Sequence, residues 1–196
     1  MYIENLFKRE FFINRNALNL AVNLLGHLLI HQTKQGTLIG KIVETEAYLS
    51  DDPASHSVIG KTKRNAPMFE RGGIAYIYFT YGMHYCFNIV SGNKNMGEAV
   101  LIRAIEPIKG IEIMRKNRRK QDIKILTNGP AKLTQAFGIN KKYNYHKLNK
   151  RPLFIAKNHY KIPKKQIIQT TRIGIKKGTQ LPYRFYIKGN SFVSKK

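Results

Sequence analysis

The chain has 196 residues, of which 42% are hydrophobic, so it can form one domain around an apolar core. Its 35 lysines and arginines against 11 acidic residues give a formal net charge of +24, which favours a polyanionic partner such as nucleic acid, although an A+T-biased genome would also enrich lysine. The single Cys86 excludes an intramolecular disulfide and a multi-cysteine zinc site, and without an apolar run of about 18 residues we expect no membrane span and a cytoplasmic location.

The N-terminal half predicts one helix and three strands. In residues 16–31, leucines and alanines recur at helical spacing behind an asparagine that can cap, which predicts a helix. Residues 37–49 alternate and are rich in β-branched side chains, which predicts a strand. Residues 74–80 and 85–90 are aromatic-rich and flank a short turn, so they predict a β-hairpin.

The C-terminal half is less regular. Residues 99–105 predict a strand, and Pro107 predicts the start of a basic helix. Residues 128–138 predict a short helix that Gly138 ends. The lysine-rich segment 141–166 predicts loops, and RFYIKG near the end predicts a last strand. No repeat or linker divides the chain, so we expect a single domain over residues 1–196.

Two carboxylates and an aromatic ring stand out in the strand predicted at residues 37–49. Alternate residues of a strand point to one face, so Glu44, Glu46 and Tyr48 are predicted to be neighbours, and the next loop adds Asp51 and Asp52. Three interpretations stay open: a Mg²⁺ nuclease using the four carboxylates, a glycosidase-type carboxylate that activates water, or a solvated sheet face without chemistry. No metal-ligand spacing is recognisable, so we expect no metal site.

The predicted hairpin offers an aromatic face. Tyr76, Tyr78 and Thr80 are predicted to share one side of their strand, and Tyr81 lies at the turn. Tyrosines at the first two positions could simply belong to the core. Together with the basic charge, they also suit base stacking, with Tyr81 as a wedge.

Two further polar residues have alternative interpretations. His56 would by default be exposed on its loop, but it could contact a ligand in a pocket. Asn88 lies in an apolar strand, where its amide needs partners, so it is either a structural hydrogen-bonding residue or a reader of a base edge.

Several motifs in fixed order resemble the alkyladenine (3-methyladenine) DNA glycosylase family. They cover residues 43–139, with a weaker match in RFYIKGNSFVS. In chain order they are VETEAYLSDDPASHS, Arg64-Asn65, Met68-Phe69, YIYFTYGMHYCFNIV, VLIRAIEP and NGPAKLTQAFGI. The resemblance implies a single domain of the mixed α/β (α+β) class, with a curved antiparallel sheet flanked by helices.

The resemblance also implies roles for individual residues. Glu46 matches the carboxylate that activates water, Tyr81 the intercalating tyrosine, and Asn88 the asparagine that limits entry of the guanine amine. The remaining implied residues are the base-binding Tyr48, His56, Tyr76 and Tyr78, and Arg103, Arg64 and Lys132 as contacts to the DNA backbone or to water.

The activity implied by the resemblance is monofunctional hydrolysis of the N-glycosidic bond of flipped purines in double-stranded DNA, leaving an abasic site. The implied lesions are 3-methyladenine, 7-methylguanine, hypoxanthine and ethenoadenine. We expect a monomer that needs no cofactor, and the matched pocket segments supply no lysine for a lyase reaction. The alternatives are the Mg²⁺ nuclease and a non-enzymatic nucleic-acid-binding module.

Overall fold

One antiparallel sheet connects most of the chain, and the computed structural model describes residues 5–195. Within these residues, six strands follow the order β3-β4-β5-β2-β1-β6, β8 adds to β2, and β7 pairs with β8. The strands are β1 (Leu28–Thr33), β2 (Gly36–Tyr48), β3 (Ala75–Thr80), β4 (His84–Ser91), β5 (Glu98–Lys109), β6 (Leu153–Ala156), β7 (Ile167–Thr170) and β8 (Arg184–Ile187).

The long strand β2 organises the sheet because it has three partners. It pairs with β5 along one edge, while β1 and then β8 pair with the other. The register with β5 shifts between Ile42 and Glu44, as at a β-bulge, which bends a strand and increases its twist. The sheet is curled, and the mixed α/β class expected from the sequence is confirmed.

Four α-helices accompany the sheet in the described residues: α1 (Glu10–Ile13), α2 (Ala17–Leu24), α3 (Ile111–Arg118) and α4 (Pro130–Phe137). As the sequence indicates, Asn16 caps α2, with its side chain accepting from the Asn19 N–H at 2.9 Å, and Gly138 ends α4 in the left-handed region. Helices α2 and α4 contribute buried side chains to the main core. No helix among residues 5–195 is long and apolar enough to span a membrane.

The predicted helix over residues 16–31 is wrong beyond Leu24. Gly26, with φ of +84°, interrupts it, and the chain continues as β1. Leu29 joins the main core while Leu28 and Ile30 join a smaller cluster on the other side. A strand that is apolar on both faces carries no alternation, so its sequence imitates a buried helix.

The C-terminal half differs from the prediction at two places. Pro107 does not open a helix, because β5 runs on to Lys109 and α3 begins only after Gly110, whose φ is +79°. Pro107 pairs with Gly40 next to a register shift, where a missing N–H is tolerated. The segment 141–166, predicted as loops, contains β6, whose four residues are too few to show a period.

Candidate active site

A cleft of about 520 Å³ opens beside the β3–β4 hairpin, and four segments supply most of its lining. They are the end of β2 with its following loop, the hairpin, the first half of β5, and the segment between β7 and β8. The lining residues are Tyr48, Pro53, Ala54, His56, Met68, Tyr76, Tyr78, Thr80, Tyr81, Cys86, Asn88, Ala99, Leu101, Arg103, Pro130, Ile173, Gly174, Ile175, Lys176 and Lys177.

Glu46 lies directly behind the wall of this cleft and is fully buried. Its Oε2 accepts a hydrogen bond of 2.8 Å from the Tyr48 hydroxyl, and its Oε1 accepts one of 2.8 Å from the backbone N–H of Ile173. Arg103 Nη1 lies 3.1 Å from Oε1. Tyr48, Arg103 and Ile173 all line the cleft, whereas Glu46 itself does not, so Glu46 lies directly behind residues that a ligand would touch.

Arg103 joins the two carboxylates predicted to be neighbours. Its Nε donates to Glu44 Oε1 at 3.2 Å while Nη1 contacts Glu46. Burial opposes the charge of Arg103, but the attraction of Glu46 and then Glu44 raises its pKa above the ordinary value. A guanidinium that keeps its proton cannot act as a base, which leaves a carboxylate for that role. Since both carboxylates are fully buried, the interpretation as a solvated face is wrong.

Glu44 is bound differently from Glu46. Its Oε1 also accepts from Arg184 at 2.9 Å, and Ser194 donates its backbone N–H to Oε2 at 2.7 Å. These partners come from β8 and the C-terminal segment. Neither carboxylate lines the cleft itself, but Arg184 and Ser194 on Glu44 are not lining residues, so Glu44 anchors the end of the chain and holds Arg103.

Tyr48 lines the cleft and also contacts Glu46 behind it. Burial, followed by the charge of Glu46, raises the pKa of the Tyr48 phenol well above its ordinary value, so the hydroxyl stays protonated and donates to Glu46. The guanidinium of Arg172 lies 4.7 Å from the centre of the Tyr48 ring. Arg172 does not line the cleft, so it stacks on Tyr48 from behind.

His56, Tyr76 and Tyr78 form one aromatic cluster. The His56 ring lies 4.6 Å from that of Tyr78, and its Nδ1 is 2.9 Å from the Tyr76 hydroxyl. Burial, then the charge of Arg64, lowers the pKa of His56, so the imidazole is neutral at pH 7. Burial raises the pKa of Tyr76 to about 12, so its hydroxyl is also neutral. The default interpretation of His56 is a solvent-exposed side chain, whereas the structure shows it partly buried.

Asn88 makes a structural hydrogen bond and also lines the cleft. It pairs with Tyr76 across the hairpin, and its Nδ2 donates to the Tyr76 carbonyl at 3.1 Å. It also lines the cleft next to Cys86 and Leu101. The hydrogen bond fixes the amide, so Asn88 presents a fixed polar edge to the cleft.

The hairpin predicted around Tyr81 is confirmed, and its tip projects from the protein. Tyr81 is 83% exposed although its ring lines the mouth of the cleft. Tyr81 and Gly82 have φ of +51° and +66°, the left-handed values that a type I′ turn requires at both central residues. Phe79 and Met83 are exposed beside Tyr81.

Two of the predicted DNA-contacting residues lie outside the cleft lining. Arg64 donates to the Phe79 carbonyl at 3.4 Å, and its guanidinium lies 5.4 Å from the centre of the Tyr78 ring. Lys132, in the first turn of α4, donates to Asn128 Oδ1 at 2.8 Å. Arg64 therefore supports the hairpin, and Lys132 lies in the same helical turn as the lining residue Pro130.

The four carboxylates of the nuclease alternative do not converge. Arginines already bind Glu44 and Glu46, Asp52 pairs with Arg172, and Asp51 is exposed. Among residues 5–195, no group of three or more His, Cys, Asp or Glu side chains has the geometry to hold a metal ion. The arrangement favours the glycosidase-type carboxylate over a shared cation.

The segment between β7 and β8 contributes to the site although no sequence pattern predicts it. Residues 173–177 line the cleft, and Ile173 binds Glu46 through its backbone. The signal in the sequence is limited to Gly174 and Gly178 around a pair of lysines, which indicates a turn but no function. A residue that acts through its backbone can be of almost any type, so it leaves no pattern in the sequence.

Comparison with known proteins covers nearly the whole chain. A family profile described as "Methylpurine-DNA glycosylase (MPG)" matches residues 11–191. A protein of Francisella tularensis subsp. tularensis named "Putative 3-methyladenine DNA glycosylase" is 51% identical over 189 residues, 95% of this chain and 98% of its own. Proteins with the same name from Carboxydothermus hydrogenoformans and Clostridium botulinum are 50% and 45% identical, over 97% of this chain and 100% of theirs.

These matches extend across every segment that builds the cleft, including the one between β7 and β8. The resemblance seen in the sequence motifs is confirmed. The chain belongs to the methylpurine-DNA glycosylase family of DNA repair enzymes.

Proposed function

We propose that the protein is a monofunctional DNA glycosylase that hydrolyses the N-glycosidic bond of damaged purines flipped out of a duplex. One observation carries the proposal: a fully buried carboxylate, Glu46, is held by Arg103 and Tyr48 directly behind the lining of an aromatic cleft. The volume of about 520 Å³ lies within the range of small-molecule sites, so a single base fits. A base inside a duplex cannot reach such a cleft unless it is extruded.

Base recognition relies on stacking against Tyr48, Tyr78 and His56. Arginines already lie over two of these rings, Arg172 on Tyr48 and Arg64 on Tyr78. These cations compete with a positively charged purine for the same rings, so charge contributes less to selectivity than stacking and hydrogen bonds do. The substrates then include neutral lesions such as hypoxanthine and ethenoadenine as well as the cationic 3-methyladenine and 7-methylguanine.

Two polar groups would discriminate between bases. The Asn88 amide, fixed by the Tyr76 carbonyl, excludes the exocyclic amine of normal guanine. His56 uses Nδ1 for the Tyr76 hydroxyl, and within the described residues its Nε2 has no hydrogen-bond partner, which leaves it for the base.

Hydrolysis follows from the position of Glu46. As the glycosidic bond breaks, the sugar becomes oxocarbenium-like, and a nearby carboxylate stabilises that charge and deprotonates the attacking water. The positive charge of Arg103 compensates for the burial of Glu46, and Tyr48 and Ile173 orient its two oxygens. The products are the free base and an abasic site.

Base release from defined duplexes tests this proposal. Duplexes that contain hypoxanthine, ethenoadenine or 3-methyladenine are incubated with the protein and EDTA, and free base is measured. Glu46→Gln should lower the single-turnover rate about 10²- to 10⁴-fold, the usual contribution of a general base, while duplex binding persists. Glu112→Gln, on the exposed face of α3, is the matched control and should behave as wild type.

Three outcomes would contradict the proposal. Excision by Glu46→Gln at a near-normal rate would remove Glu46 from its role, and activity that EDTA abolishes would favour the nuclease. Lys176 and Lys177 line the cleft, so borohydride trapping on abasic DNA tests the monofunctional assignment. A covalent adduct that is lost when both lysines are changed would show a lyase step.

A further inference from the structure

Two loops that line the cleft are joined by a buried ion pair. Asp52 lies in the loop after β2, which supplies Pro53 and Ala54 to the lining, and Arg172 precedes the lining segment 173–177. Both guanidinium nitrogens Nη1 and Nη2 donate to the carboxylate, the second at 2.8 Å, and neither side chain has exposed surface. A two-point bond of this kind fixes orientation as well as distance.

Arg172 also contacts the strand that carries Glu46. Its Nη1 donates to the carbonyl of Ala47 at 3.0 Å, and its guanidinium stacks between the rings of Tyr48, at 4.7 Å, and Tyr183, at 5.3 Å. These contacts set the plane of Tyr48, whose hydroxyl donates to Glu46.

The backbone next to Arg172 completes the connection. The N–H of Ile173, one residue on, donates to Glu46 Oε1 at 2.8 Å. At the other end of the segment, the Gly178 carbonyl lies 3.5 Å from Arg172 Nη2. A Cβ at Gly178 would meet both Arg172 and Asp52 at 3.2 to 3.3 Å, so the backbone closes tightly over the pair. The segment 173–177 is therefore held at both ends by Arg172.

We propose that the Asp52–Arg172 pair is a positioning device for catalysis, which orients both oxygens of Glu46, one through the ring of Tyr48 and the other through the backbone of Ile173. This inference rests on the proposed glycosylase function. Arg172 touches neither the cleft nor the reacting atoms, so it acts only through these two neighbours. A buried pair that served stability alone could lie anywhere in the core, whereas this one contacts two of the three groups bound to Glu46.

Single-turnover excision of hypoxanthine at saturating enzyme, with binding of abasic-site DNA measured separately, tests the proposal. Arg172→Lys keeps the charge but loses the two-point bond and the stacking plane. The rate should fall about 10- to 100-fold, the cost of misplacing a catalytic group, while the Kd for abasic DNA stays within about threefold. In the Glu46→Gln background, Arg172→Lys should lower the rate much less than it does in the wild-type background, because its influence on the chemical step passes through Glu46.

Controls separate positioning from stability. Leu153→Ala in β6 removes core packing far from the cleft and should reduce thermal stability without changing the single-turnover rate of the folded protein. If Arg172→Lys does not fold, Asp52→Asn replaces it, since an amide oxygen can still accept from the Ala54 N–H but has no charge for Arg172. This variant should show the same fall in rate and the same dependence on Glu46.

The result that overturns the inference is a folded Arg172→Lys or Asp52→Asn protein that excises at the wild-type rate, or whose loss multiplies with that of Glu46→Gln. Failure of the proposed function looks different, because wild-type protein would then release no base from any lesion. Wild-type activity that depends on Glu46 must therefore be established first in the same assay.

Discussion

Replacing Tyr81 by alanine separates the contribution of this residue to folding from its proposed contribution to base flipping. Tyr81 lies at the tip of the β3–β4 hairpin with 83% of its surface exposed and a φ of +51°. A non-glycine residue rarely adopts this backbone conformation, and a bulky ring in solvent adds little to the stability of the fold. We propose that the ring is retained because it fills the space that the flipped base leaves in the duplex.

The expected change in stability can be worked out from these numbers. Tyrosine offers roughly 200 Å² of surface, so burying about one sixth of it gains less than about 1 kcal/mol at 25 cal/mol per Å². Alanine at the same positive φ keeps most of the backbone strain. The loss of thermal stability should therefore stay below about 1 kcal/mol. By contrast, one base–aromatic contact contributes about 1 to 3 kcal/mol, so the flipped state should be about 5- to 150-fold less populated.

The fluorescence of ethenoadenine in a duplex reports flipping, and a thermal melt of the same protein reports stability. Tyr145→Ala is the matched control, since Tyr145 is also an exposed tyrosine with positive φ, at +69°, but does not line the cleft. It should leave flipping unchanged. A Tyr81→Ala protein that melts far earlier while flipping normally would refute the reasoning and assign the ring to the fold.

Three further predictions concern charge. The net charge of +24 predicts that log K for duplex binding falls with log salt, with a slope of about −0.9 per phosphate neutralised; an affinity that salt leaves unchanged would trace the lysines to genome composition. Glu44→Gln leaves Arg103 and Arg184 buried without their shared partner and should lower the free energy of unfolding by about 3 to 5 kcal/mol in urea melts. Glu106→Gln removes a partly exposed pair with Lys41 and should lower the free energy of unfolding by no more than about 1 kcal/mol. Equal decreases for Glu44→Gln and Glu106→Gln would show that burial does not decide the contribution of these ion pairs. Burial, followed by the charges of Lys157 and Lys161, lowers the pKa of His27 from 6.5 to about 4. The folded protein is therefore fully stable with respect to this group above pH 6.5, where His27 is neutral in both the folded and the unfolded state. As the pH falls towards 4, the unfolded state takes up the proton first, and the free energy of unfolding drops by at most about 3 kcal/mol. His27→Gln should flatten that part of the stability profile, and identical profiles would exclude His27 as its source.

Local pattern was sufficient for the parts of the site that lie on one strand or one hairpin. Alternation in β2 predicted that Glu44, Glu46 and Tyr48 would be neighbours, and the hairpin placed Tyr76 and Tyr78 on one face. These predictions held because side-chain direction in a strand depends only on adjacent backbone. Alternation did not reveal β1, because both of its faces are buried and its side chains show no polar–apolar period. It did not reveal β6 either, because four residues are too few to show one.

By itself, the sequence determined the family, the hairpin tip and the pair of carboxylates, and the resemblance singled out Glu46, but the strand pattern gives no physical reason why the two carboxylates differ. Glu44 and Glu46 look equivalent in the strand pattern. In the structure, Ser194 and Arg184 come from the end of the chain and bind Glu44, while Ile173 and Tyr48, which line the cleft, bind Glu46. The role of a buried carboxylate depends on the groups that reach it. Ile173 and Ser194 lie 127 and 150 residues away from the carboxylates that they bind, a separation over which only the packed tertiary structure decides which groups meet.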